Sequence, residues 1–544
     1  MKKRTSILIC MLLITTSVPL AIAQTTNQIH QRSDWNQQQK ILASDGEEND
    51  WFSFSVSVSG TTALIGAPND NDMGDYAGSA YVYTLMGSTW MEQEKLLAYD
   101  GEEMNTFGDA VCLDGDTAIV GAPYDWDNGV DSGSAYVFFR SGESWTMEAK
   151  LLASDGAGED HFSLAVAVSG DTVLIGAPGD DDNGTDSGSA YVFNRIGNTW
   201  TQQAKLDAQD ASAGDNFGKA LALSGDTALI GAYYDDNNGV DAGSAYVFTR
   251  TGDTWTQQAK LLAADGTEND NFGDSVSLDG ATALVGATRD NSFTGAAYVF
   301  VRTEETWTQQ AKLLATDAQT YKYFGQSVAL DSDTALIGAP DDSETAFRSG
   351  AAYVFERTGN TWTQQAKLLA SDGEEYDLFG NDVALSGNIG MIGTPWESEN
   401  GFWAGCAYVF TKKVENQRPN PPTIDGPTSG KIKTAHTYNI SADDPNADDV
   451  SYYVDWGDGT NTGWLGSVHS GDTVPVSHTW TKKDTYLVKA KAKDYYGLES
   501  NWTTLEVSMP MDISVQLSWG FPFLTWLFDQ FPDAFSRVRN IMGC

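Results

Sequence analysis

The chain has 544 residues and carries 75 Asp and Glu against 32 Lys and Arg, a formal charge of −43 with histidine neutral. That balance excludes nucleic acid and anionic membrane surfaces as partners, because both attract clustered Lys and Arg and no basic patch interrupts the acidic field. With 41% hydrophobic and 11% aromatic residues the chain can bury real cores, and 54 Gly against 15 Pro point to an all-β protein of short strands and many turns.

The N-terminus has the form of an export signal over residues 1–23. Lys2, Lys3 and Arg4 precede an apolar run from Ile7 to Ile14, and Ala21-Ile22-Ala23 supplies a small-residue cleavage site. Cys10 falls inside this segment, leaving Cys112, Cys406 and Cys544. An odd number of cysteines excludes a full disulfide framework, and Cys112 and Cys406 are expected to be separate buried thiols.

One unit then recurs seven times. Gly-Ala-Pro-like triplets begin at Gly66, Gly121, Gly176, Gly231, Gly286, Gly338 and Gly393, with spacings of 55 residues broken once by 52. A Phe stands fourteen residues before each triplet, at 52, 107, 162, 217, 272, 324 and 379. An A-Y-V-[FY] strand follows each triplet, and a segment resembling W-T-Q-Q-A-K-L-L begins at Trp35, Trp90, Trp145, Trp200, Trp255, Trp307 and Trp362. In the third unit this predicts strands over Ser163–Val168, Val173–Ile175, Ala190–Asn194 and Trp200–Leu206, with a tight turn at Ser169-Gly170-Asp171.

Four antiparallel strands repeated seven times predict a β-propeller over residues 35–413. The phase of the ends predicts how it closes. The seventh unit stops after its third strand at Phe410, while Trp35–Leu42 precedes the first Phe with no unit of its own. The orphan strand is therefore expected to complete the last blade. Strand parity puts the tight turns on one face and every long acidic loop on the other.

The Phe-Gly starts (Phe107-Gly108, Phe217-Gly218, Phe272-Gly273, Phe324-Gly325, Phe379-Gly380) with Gly-Ala-Pro at 66–68, 121–123, 176–178 and 338–340 resemble the FG-GAP repeat of integrin α-subunit propellers and their microbial relatives. Integrin-type blades carry a D-x-D-x-D-G calcium loop between strands one and two. That place holds only short turns here, such as Ser224-Gly225-Asp226, so the resemblance brings no calcium to them.

Acids occur instead in the loop after the triplet. Asp70, Asp125, Asp180, Asp235, Asp290, Asp342 and Glu397 stand four residues after the triplet Gly; Asp72, Asp127, Asp182 and Asn237 follow two residues on in the first four blades. Blades two to four add Asp131, Asp186 and Asp241 after a Gly. Carboxylates alternating along a short loop with a Gly at the bend can wrap calcium. The same residues can equally form Asx-turns on a solvated surface. A second set, Asp45, Asp100, Asp155, Asp210, Asp265, Asp317 and Asp372, recurs in all seven blades and reads as structural, since a catalytic residue need occur only once.

Beyond a stiff linker over 414–422, containing Arg418-Pro419-Asn420-Pro421-Pro422, residues 423–508 show strand alternation suited to a small Ig-like β-sandwich. The motifs Asp455-Trp456-Gly457-Asp458-Gly459-Thr460 and Ser477-His478-Thr479-Trp480, with Tyr486, resemble a PKD domain, which implies a spacer or binding module without chemistry of its own. The tail over 509–544 has an apolar run shorter than the roughly 20 residues a membrane span needs, so the mature chain is expected to have no such span.

These readings favour an exported or cell-surface binding and adhesion protein. Its acidic loop face would recognise an extracellular protein or glycan, with calcium as the one cofactor considered. The alternatives are a carbohydrate-active hydrolase or lyase on a propeller scaffold, or a purely structural envelope protein. None of the five histidines lies in a metal motif, and no G-x-S-x-G elbow occurs. Unique polar residues at the central channel would favour an enzyme. Blade seven departs most from the repeat, with Trp396, Trp403 and Cys406, and blade five has Arg289 and Phe293. Loop aromatics of this kind could stack on sugar rings.

Overall fold

The computed structural model describes residues 34–413, 416–446 and 448–510. The expected signal segment and C-terminal tail lie outside these, as do Cys10 and Cys544. Two compact units divide at Lys413.

The first unit is a ring of seven four-stranded antiparallel sheets. The third blade runs Ala165–Ser169, Thr172–Ala177, Ser189–Ile196 and Thr199–Leu206. These strands run one or two residues beyond several of the expected bounds, because ladder pairing continues up to the turns, while the first begins two residues later, at Ala165. Thr172–Ala177 is buried along its whole length, since it lies between two neighbours in its own sheet and has a further blade on each face. The outermost strand, Thr199–Leu206, buries only Trp200 and Leu206.

Each core lies between two blades. Leu174, Val192 and Leu206 of blade three pack with Phe217, Ile230, Tyr246 and Trp255 of blade four. The two glycines that frame the central loop follow from this stacking. A Cβ on Gly176 would lie 2.0 Å from the Gly218 carbonyl oxygen of the next blade. Gly188, at φ +79°, would bring one to 2.1 Å from the Phe217 carbonyl oxygen. The Phe-Gly of one blade and the glycines of its neighbour are thus in contact through backbone, where no side chain fits.

The closing strand Trp35–Ile41 pairs antiparallel with Cys406–Lys412, from Trp35 opposite Lys412 to Ile41 opposite Ala407. It is the fourth strand of blade seven, as the phase of the repeats predicts. Across the seam, Ile41, Met391 and Val409 share a core with Val56, Ile65 and Tyr81 of blade one.

Blade five, three residues shorter, replaces the long central loop by a single tight turn at Asp290–Phe293, in which Asn291, Ser292 and Phe293 have positive φ. Cys406 is buried, and neither it nor Cys112 forms a disulfide. Cys112 is only half-buried, because first-strand side chains alternate between the interblade core and the central channel.

The second unit pairs a three-stranded sheet (Thr423–Asp425, His436–Ser441, Val474–His478) with a four-stranded one (Asn461–Trp464, Val450–Asp455, Thr485–Asp494, Thr503–Ser508). Trp456 and Trp480 are buried between the sheets, and the Trp480 indole donates to the Trp456 carbonyl at 3.2 Å. His478 stacks on Trp456 with ring centroids 4.7 Å apart and contacts Asp458 at 2.8 Å, which explains why these motif residues occur together. No helix among the described residues is long and apolar enough to cross a membrane.

Candidate functional site: the loop face of the propeller

The long loops cluster on one face, and their acids converge on lysines. In blade three, Lys205 Nζ lies 2.8 Å from Asp180, 2.6 Å from Asp182 and 3.1 Å from Asp155. Tyr191, from the third strand, donates its hydroxyl to Asp180 at 2.8 Å.

The arrangement recurs around the ring. Lys95 meets Asp45, Asp70 and Asp72, and Lys150 meets Asp100, Asp125 and Asp127. Lys260 meets Asp210 and Asp235, and Lys312 meets Asp265 and Asp290. Lys367 meets Asp317, Asp342 and Glu344. At the seam the closing strand supplies Lys40 to Asp372, Glu397 and Glu399. Blade six adds Lys322 at 2.6 Å from Asp342.

Each of these outer-strand lysines stands five residues after its blade's Trp, at the Lys of W-T-Q-Q-A-K-L-L. Burial opposes the charge on Lys205, but the surrounding carboxylates overcome it and hold the ammonium above the usual lysine range. Burial alone would raise Asp180; the Lys205 ammonium and the Tyr191 hydroxyl instead hold it below the usual carboxylate range.

This geometry tests the calcium reading. Asp70 and Asp72, Asp125 and Asp127, and Asp180 and Asp182 do come together, each pair around an ammonium. Asn237 departs, donating its amide to Asp210 at 2.9 Å and to Asp235 at 3.2 Å. The third acids do not join. Asp131 accepts the Trp126 indole N–H at 2.9 Å, while the Asp186 and Asp241 amides donate to Asp181 and Asp236 at 2.8 Å. All three third acids have positive φ, between 50° and 55°. No group of three or more His, Cys, Asp or Glu able to hold a metal ion occurs among the described residues. As arranged, the loops do not fit a resident calcium: a lysine occupies the point on which their oxygens converge.

At the centre of the ring the first strands of all seven blades line a channel of about 470 Å³. Its loop-face end is set by the second residue after each Phe, and here the repetition fails: Phe54, Asp109, Leu164, Lys219, Asp274, Gln326 and Asn381. Thr288 donates to Asp274 at 2.7 Å. Asp109 and Lys219 make no side-chain hydrogen bond or close ion pair among the described residues. Burial pushes the Asp109 carboxyl up to about 6 against the pull of Lys219. Burial raises Asp274 too, opposed by Thr288, Lys219 and Arg289.

At the seam between blades seven and one, Phe54 lines the channel and begins an aromatic run. Phe54 stacks with Trp51 at 5.8 Å, Trp51 lies 6.4 Å from Trp396, Trp396 stacks on Trp403 at 5.1 Å, and Trp403 stacks on Phe402 at 4.3 Å. His161 packs edge-on against Tyr124 at 5.3 Å, a packing contact. Sequence reading singled out Trp396, Trp403 and Arg289 but missed Asp109, Lys219 and Asp274; the signal available was this one variable position beside an invariant Phe.

Comparison with known proteins agrees with the architecture. The FG-GAP repeat model matches residues 35–83, 90–138, 145–193, 200–248, 255–300, 307–355 and 362–410. The PKD domain model matches 425–507. Both kinds of domain are typical of extracellular proteins and typically non-catalytic.

Among solved structures, the PKD domain of an M14-like peptidase from Thermoplasmatales archaeon SCGC AB-540-F20 is 52% identical over 18% of this chain and 98% of its own length, with a TM-score of 0.17. The PKD domain of the human VPS10 domain-containing receptor SorCS2 is 16% identical over 18% of this chain and 77% of its own, with a TM-score of 0.13. No curated protein matches. With seven repeats spanning more than half its length, the chain belongs to the FG-GAP repeat family, built as a seven-bladed propeller followed by a PKD domain.

Proposed function

We propose that this is an exported or cell-surface binding protein whose loop face recognises an extracellular protein or glycan, without calcium as an organiser. The observation that carries this reading is the contrast on that face. Its repeating acids are gathered around lysines carried mainly by the outer strands, while its non-repeating polar and aromatic residues collect around the channel mouth. Residues that build a ring recur in every blade. An asymmetric ligand calls for residues that do not.

The raised Asp109 carboxyl is the observation that favours an enzyme instead. Binding is preferred because no nucleophile motif accompanies it and both domain types are typically non-catalytic.

The test is binding of the full chain to arrayed glycans and extracellular proteins, using two surface variants. Val130→Arg with Val240→Arg places bulk on exposed loop-face positions; Ile196→Arg does so at an exposed turn on the other face. Binding lost in the first variant and kept in the second supports the reading. Absence of binding, or equal retention in both variants, overturns it.

A further inference from the structure

The channel mouth has the composition of a saccharide site. A sugar ring presents C–H faces that stack on aromatic side chains, and an edge of hydroxyls that carboxylates, amides and ammonium groups can bond. Phe54, Asp109 and Asp274 line one channel here. The aromatic run from Phe54 through Trp51 and Trp396 to Trp403 reaches the channel from blade seven. Asp109, Lys219 and Asp274 stand at the same level on other blades.

Two of those groups retain hydrogen-bonding capacity. Neither the Asp109 carboxyl nor the Lys219 ammonium has a side-chain hydrogen bond or close ion pair among the described residues, although both are half-buried. Asp382 shows what a purely architectural channel acid looks like: it accepts from Val56 N at 2.7 Å, Ser327 Oγ at 2.7 Å and Val383 N at 3.0 Å, bridging three blades. A half-buried charge without such partners is costly to maintain in a fold that has no use for it.

The charge of the chain selects among sugars. A protein of formal charge −43 repels polyanionic glycans, and the mouth itself carries two carboxylates. We infer that the loop-face mouth of the central channel binds a neutral saccharide chain, with Trp396 and Phe54 stacking on its rings and Asp109, Lys219 and Asp274 bonding its hydroxyls. This rests on the loop face being the recognition surface and adds the ligand class and its position.

The test titrates the full chain with maltohexaose, cellohexaose, mannohexaose, xylohexaose and chitohexaose in chelator, reading tryptophan fluorescence and heat. The expected result is saturable binding of at least one hexasaccharide with a change in fluorescence. Asp109→Asn and Trp396→Ala should each weaken it tenfold or more, and Ile196→Arg should leave it unchanged. Asp109→Asn is nearly isosteric, so it remains informative if Trp396→Ala fails to fold.

Binding of none of the five overturns the saccharide assignment, and the array result decides the broader reading separately. Binding that survives both mouth variants but is lost with Val130→Arg and Val240→Arg overturns the position while leaving the loop face as the recognition surface.

Discussion

Lys205 Nζ lies 2.8 Å from Asp180 Oδ2, although the two residues are 25 positions apart and on different parts of the blade. Asp180 is almost fully buried, so the loop between strands two and three folds over a cation carried by the outermost strand. That link joins the inner loop of each blade to its rim.

Replacing Lys205 by Ala leaves Asp180 buried without its counter-charge, which costs about 3 kcal/mol. The wild-type melt should be the same in calcium and in chelator. The Lys205→Ala melt should fall, and calcium should recover part of the loss. Calorimetry of both proteins checks this; a wild-type melt that rises with calcium would sink the ammonium account.

Two sets of aspartates, shifted in opposite directions, predict a stability maximum on the acid side of neutrality. Burial pushes Asp50, Asp160, Asp215 and Asp377 up to about 6 from 3.8, despite backbone N–H groups donated to them. The folded state therefore binds more protons than the unfolded one across that window, and stability rises as pH falls through it. Asp45, Asp100, Asp180 and Asp372 are shifted the other way: burial raises them, but their lysines and tyrosines outweigh it and hold them below 3.8. Their contribution is complete above 3.8 and is lost as pH falls further. Melts at pH 7.5, 5 and 3 should be highest at 5, and a fall from 7.5 to 5 would contradict the assignment.

Gly176→Ala puts a Cβ at 2.0 Å from the Gly218 carbonyl oxygen, backbone that can move only by separating two blades. A loss of about 3 kcal/mol or more is expected. Gly170→Ala is the control, with nothing within 4 Å of the new Cβ and only the φ of +57° to strain it. Its loss should be about 1 kcal/mol. Equal losses in denaturant melts would mean that interblade contact is not what the triplet glycine serves.

Deleting residues 35–41 should expose the edge of Cys406–Lys412 and convert the ring to oligomers or aggregates, as unprotected edges do. A peptide spanning 34–43, added in excess, should restore a monomer by size-exclusion chromatography. A deletion variant that stays monomeric and melts like the parent would show that closure is dispensable.

The ring was legible because its period holds and because Phe410 and Trp35 are complementary ends of one broken blade. The acidic loops were legible too, but their partner was not assigned. The lysine five residues after each Trp recurs as regularly as the loop acids, yet a strand lysine and a loop aspartate 25 residues apart meet only once the blade is folded. Asp131, Asp186 and Asp241 matched a ligand spacing and nevertheless point elsewhere, because their positive φ turns the backbone there. Asp109 and Lys219 gave almost no signal singly; their placement follows from seven first strands converging on one axis.

The closing strand has a mechanical consequence. Trp35 and Lys412 face each other at the same end of their ladder, so tension applied through the chain entering at Asp34 and leaving at Lys413 loads the rungs singly, starting with the Lys413 amide bond to the Asp34 carbonyl at 2.6 Å. Opening then proceeds by unzipping rather than by shearing the whole strand at once. Under load the ring yields first at its seam, while the six blades made of continuous chain keep their strands together.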